Sequence, residues 1–130
     1  MGTKKSLASF FLVLAAIAIS SCTPAEVTAT RQLPIARVDL SRARDGSYDG
    51  EYTYGRFTYK VEVVILDHRI VTVRILDNRN TKRALMAEGV VDRILQAQRN
   101  DVDAVSGATT TSKALLKATE NALTRSLASP

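Results

Sequence analysis

The chain has 130 residues, room for one domain, and its 45% hydrophobic and 24% charged content is ordinary for a folded protein. That balance excludes a wholly disordered or collagen-like chain. One cysteine, Cys22, and one histidine, His68, exclude an internal disulfide and a multi-cysteine or multi-histidine metal site within one chain. The formal charge of +5 is spread along the sequence with no long basic block, so nucleic acid is not an expected partner.

Residues 1–21 read as a signal peptide. Lys4 and Lys5 precede an uncharged stretch from Ser6 to Ser21, and Phe10 to Ile19 is continuously apolar. The run ends in Ile19-Ser20-Ser21-Cys22, which resembles a bacterial lipoprotein processing site. The resemblance implies lipidation of Cys22, export, and anchoring on the periplasmic or cell-surface side of a bacterial membrane. A chain starting at Cys22 keeps 16 basic and 13 acidic side chains, a formal +3. Residues 22–38 read as a tether, because Thr23 to about Arg31 is short of apolar bulk and carries Pro24.

Asp45-Gly46-Ser47-Tyr48-Asp49-Gly50 is rich in turn formers. Three strands are predicted after it. Tyr48 to Tyr54 is closed by Gly55. Phe57 to Leu66 places Phe57, Tyr59, Val61, Val63 and Ile65 in one phase. Ile70 to Leu76 sets Ile70, Thr72 and Arg74 against Val71, Val73 and Ile75. Asp67-His68-Arg69 is a connection of hairpin length, with His68 as a left-handed turn residue. Asp77 to Asn80 is a polar loop, and Thr81 is a candidate cap.

Helix spacing follows from Ala84 to Gln98, weakened by about 1 kcal/mol at Gly89. A last helix runs from about Thr110 to Leu127, with Leu116, Thr119, Leu123 and Leu127 along one side. Strands first and helices after predict an α+β fold, a small antiparallel sheet packed by two helices. Five aromatic residues, Tyr48, Tyr52, Tyr54, Phe57 and Tyr59, fall within twelve positions. They suit a core, and an aromatic face is also a surface for a flat ring.

Between the two helices, every residue from Ser106 to Ser112 is small, and five of the seven carry hydroxyls. Gly107 and Ala108 allow close approach to the backbone. A helix start leaves N–H groups unpaired and favours an anion, so the run fits either a cap or a phosphate seat, with Lys113 adding charge.

Asp103-Ala104-Val105-Ser106-Gly107-Ala108-Thr109, followed by Thr111-Ser112, resembles the signature of the FMN-binding domain family. Those flavin domains are similar to the C subunit of sodium-pumping NADH:quinone reductase. Asp45-Gly46-x-Tyr48-x-Gly50 and Gln98 agree with the family, and the likeness covers roughly Asp39 to Leu127, giving a domain at 39–130. Asp67-His68 departs from the family's usual Asp-Gly turn.

The resemblance implies FMN as cofactor, joined to Thr109 through a phosphoester by a separate flavin transferase that uses FAD and a divalent metal. Asp103 would belong to the sequence that enzyme recognises; Ser106, Gly107, Ala108, Thr110, Thr111 and Ser112 would complete the cofactor site. On composition alone Thr110 and Thr111 are rival acceptors. The expected role is an electron carrier working with membrane electron-transfer proteins, rather than a substrate-converting enzyme. The alternatives are a noncovalent FMN-binding module and a structural lipoprotein without cofactor.

Overall fold

The computed structural model describes residues 24–127. The predicted signal peptide and Cys22 lie outside them. Strands β1 (Gly46–Tyr54), β2 (Phe57–Leu66) and β3 (Arg69–Asp77) form an antiparallel meander in the order β1-β2-β3. Helices α1 (Pro24–Arg31), α2 (Lys82–Ala87), α3 (Val90–Ala97) and α4 (Thr109–Ser126) complete the α+β fold.

The alternation expected of β2 is realised in full. Tyr59, Val61, Val63 and Ile65 are buried and meet Leu115, Leu116 and Leu123 of α4 in one core. Helix α4 lies close over β1 because Gly50 has no side chain. A Cβ there would sit 2.1 Å from the Ala118 carbonyl oxygen and 2.3 Å from the Ala122 nitrogen. Small residues on the helix and none on the strand let the two backbones touch.

The β2–β3 turn keeps a hairpin geometry despite its residues. Asp67 (φ 51°) and His68 (φ 60°) both take the left-handed conformation, which matches the strand twist but costs on the order of 1 kcal/mol for a residue with a Cβ. Two contacts offset that cost. The Asp67 N–H donates to the Asp45 carboxylate at 2.8 Å, and His68 Nδ1 lies 3.2 Å from the Leu40 carbonyl oxygen. The front motif thus holds the far turn.

Strand β3 departs from strict alternation. The register steps from Val64↔Thr72 to Ile65↔Ile70, so Val71 is bulged. Ile70 and Val73 therefore share the core face, where unbroken alternation opposes them. Gln98 seals the edge at that bulge. Its amide accepts from the Ile70 N–H and donates to the Ile70 carbonyl, both at 2.9 Å.

Two expectations are corrected. The single helix over Ala84–Gln98 is two helices. At Glu88 and Gly89 the N–H groups bond three residues back, to Leu85 and Met86, and the tightened turn redirects the chain. The tether is also not one from Pro24 onward. Residues 24–31 are helical, and 33–38 are pinned by residues distant in sequence. Asn100, fully buried, accepts from the Val38 N–H at 2.9 Å and donates to the Ala36 carbonyl at 2.6 Å. Glu120 accepts from the Ala36 N–H, and Lys113 donates to the Leu33 carbonyl. These contacts are polar and long-range, between residues more than sixty positions apart, which is why the local sequence does not reveal them.

Two substitutions test this packing. Gly50→Val should destabilise the domain by about 3 kcal/mol in urea unfolding, since backbone on both sides leaves the new side chain nowhere to go. Asn100→Ala should cost about 2 kcal/mol by stranding two backbone groups. It should also speed tryptic cleavage after the exposed Arg37.

Candidate functional site

The bend before α4 is built by hydrogen bonds. Arg93 Nη1 donates to the carbonyls of Asp103 and Ala104, both at 2.9 Å. The Val105 N–H donates to the buried Ser112 hydroxyl at 3.0 Å, and the Ala108 N–H to the Val105 carbonyl. Gly107 turns the chain with φ 79°, a conformation that suits glycine, and a Cβ there would meet nothing within 4 Å. Backbone geometry, not crowding, asks for the glycine.

Ala108 is the N-cap of α4 and offers no side-chain acceptor. The first bond of the helix runs from the Ser112 N–H to the Ala108 carbonyl. The N–H groups of Thr109, Thr110 and Thr111 therefore open at the positive end of an 18-residue helix.

These residues form one wall of a cavity of about 720 Å³. Tyr54 forms another. Val27 and Arg31 of α1 reach it from the side, and Arg79, Thr81, Lys82 and Arg83 close the rim. Four cations line the cavity, and none of its described lining residues is acidic. The volume is that of a small-molecule site. A second cleft, about 470 Å³, lies at Gly50 where α4 meets β1. Its Asn121 and Arg125 are spent on the Glu51 and Asp49 carbonyls.

The hydroxyls of the bend are not equivalent. Ser112 is committed to Val105. Thr111 is buried and bonds the Tyr59 hydroxyl, which itself donates to Tyr54 at 3.0 Å. Thr109 and Thr110 are half-buried, line the cavity and have no side-chain partner among the described residues. Asp103 and Ser106 are exposed outside the cavity. The structure therefore gathers Gly107 to Thr111 at the cavity and places Asp103, Ser106 and Ser112 around it.

The aromatic cluster is mainly core. Tyr59 is fully buried and stacks on Tyr54 at 5.6 Å between centroids. Arg79 lies 3.9 Å over the Phe57 ring, which holds its guanidinium at the rim. Tyr54 alone of the five aromatics faces the cavity. Sequence reasoning missed the cationic rim. Lys82-Arg83 behind a capping threonine was a visible signal, whereas Arg31 stood in the supposed tether.

Burial, then the bond to Tyr54, raises the Tyr59 hydroxyl well above the ordinary 10.0. The folded pKa exceeds the unfolded one, so this contribution is complete below pH 10 and declines as pH rises past it. Tyr59→Phe should lower stability at pH 7 by about 1 kcal/mol. It should also flatten the alkaline loss of stability between pH 10 and 12, by up to ~1.4 kcal/mol per pH unit. Urea unfolding across that range measures both.

Among the described residues no helix is long and apolar enough to cross a membrane, and no group of His, Cys, Asp and Glu is placed to hold a metal ion. A comparison with curated proteins returns no match. The FMN-binding domain family matches residues 54–124, just over half of the chain, from Tyr54 at the cavity through the bend into α4. The residues fit that cofactor: an uncapped helix start and four cations for a phosphate, and a tyrosine beside them for a flat ring. FMN is the cofactor and the protein is flavin-binding. The chain belongs to the FMN-binding domain family.

Proposed function

We propose that the protein is an extracytoplasmic, lipid-anchored flavoprotein that carries FMN as a phosphoester on Thr109 and relays electrons to or from membrane electron-transfer proteins. The observation that carries this reading is the place of Thr109. It is the last residue of the signature, the first of α4, and part of the cation-lined wall. A phosphate esterified there lies against unpaired N–H groups and the dipole of the helix. Bound FMN supplies one- and two-electron chemistry, while the chain supplies position and charge.

Among the described residues the cavity lining includes no carboxylate and no histidine, so none of them offers Thr109 a general base. An outside flavin transferase with a divalent metal is consistent with that. In the transfer, the Thr109 hydroxyl oxygen bonds to the FMN-side phosphorus of FAD. The pyrophosphate bond breaks, AMP leaves, and the hydroxyl proton is lost. Asp103, exposed beside the carbonyls that Arg93 holds, is available for recognition by that enzyme. Cys22 is the lipidated residue in this reading. A covalent bond keeps a diffusible cofactor with a protein working outside the cytoplasm.

Intact mass spectrometry of exported protein, made together with a flavin transferase, tests the reading. The natural sequence should carry one FMN that survives denaturation. Thr109→Val should abolish the adduct and leave the circular dichroism unchanged, while Thr110→Val retains it. Asp103→Ala should lower the yield. Adduct on the Thr109→Val protein means the wrong threonine was chosen; none on the natural sequence, with the transferase active, removes the covalent reading.

A further inference from the structure

The cationic rim continues onto an exposed face of α2. Ala84 and Ala87 are the buried positions of that helix, which leaves Lys82, Arg83, Leu85 and Met86 turned to solvent together. Leu85 is 53% exposed and Met86 46%. With Arg31 and Arg79 the face has four cations around two bare apolar side chains. Among the described residues, the ion pairs Arg74–Glu62, Arg99–Asp101 and Lys117–Glu120 lie elsewhere. A phosphodiester at Thr109 would bring a single negative charge, so most of the cationic charge is left over.

The chain before α1 says where this face lies. One residue, Thr23, separates Cys22 from α1, and α1 lines the same cavity with Val27 and Arg31. Two extended residues span about 7 Å and an eight-residue helix about 12 Å, so every part of α1 lies within about 20 Å of the anchor along the chain. A domain of this size is roughly 35 Å across. The cavity side is thus the side an anchored molecule keeps near the bilayer.

We infer that the face formed by Arg31, Arg79, Lys82, Arg83, Leu85 and Met86 docks on an anionic lipid bilayer, turning the mouth of the flavin cavity toward the membrane. The inference rests on the lipid anchor at Cys22 proposed above. Basic residues interleaved with apolar ones are what an interfacial helix presents to lipid, and anionic headgroups complement the surplus charge. Electron exchange then takes place with partners embedded in, or lying on, the same membrane.

The test uses the full chain, lipidated, flavinylated and reconstituted in vesicles of phosphatidylcholine with or without phosphatidylglycerol. Leu85→Cys and, on the opposite sheet face, Thr72→Cys each carry a nitroxide label, and a water-soluble nickel chelate reports exposure. With phosphatidylglycerol the label at 85 should be shielded while that at 72 stays exposed; in phosphatidylcholine alone both should be exposed. Lys82→Gln with Arg83→Gln should weaken docking by about 25-fold, roughly fivefold for each charge. Equal exposure at 85 and 72 in the anionic vesicles overturns the inference, as does shielding that ignores phosphatidylglycerol or survives the double substitution. A face made for an acidic soluble protein would give the first of those results. Failure of the anchor itself shows separately, because an unlipidated Cys22 would take up a second nitroxide visible by mass.

Discussion

Helix α4 and strand β1 touch backbone to backbone at Gly50, where a single Cβ would meet the Ala118 carbonyl and the Ala122 nitrogen. The position of the candidate site follows from that contact. Once α4 is pressed onto the sheet along Ala114, Ala118 and Ala122, its first turn can only emerge beside Tyr54 at the end of β1. The unpaired N–H groups of Thr109 to Thr111 are thereby aimed at a wall already furnished with an aromatic ring. A bulkier residue at 50 would lift the helix and move Thr109 away from Tyr54 without touching either.

The same economy appears in the polar chain from Thr111 through Tyr59 to Tyr54. A buried tyrosine hydroxyl needs partners, and here they lie on the two elements that wall the cavity. Core and site are joined by hydrogen bonds as well as by packing. The chain also sorts the threonines. Thr111 is tied into the core, whereas Thr109 and Thr110 are left at the cavity.

Much of this was legible in the sequence because it obeys local rules. The strand phase of Tyr59 to Ile65, the left-handed turn at His68, the cap at Thr81 and the small-residue bend at Gly107 each depend on neighbours a few positions away. What was illegible depends on distant partners. Asn100 holds Ala36 and Val38 across more than sixty residues, so a segment placed in the tether became part of the domain. The bulge at Val71 reverses the face of β3 and leaves no mark on the apolar pattern. The rim assembles Arg31, Arg79, Lys82 and Arg83 from three separate segments, and no linear motif announces such a cluster.

Replacing a tether by a docked helix changes what an anchored carrier can do. A flexible leash of nine residues lets a domain tumble and present its cofactor in any direction. With α1 bound to α4, and Thr30 joined to Tyr52 at 3.2 Å, residues 24–31 belong to the domain and have no such freedom. Helix α1 and the cavity share one rigid body. In the anchored reading, the direction the cavity faces is set by the fold and by the charge around it rather than by chance encounter. If the protein is the lipid-anchored electron carrier proposed above, it exchanges electrons over a short, fixed range, and its partners come to that surface.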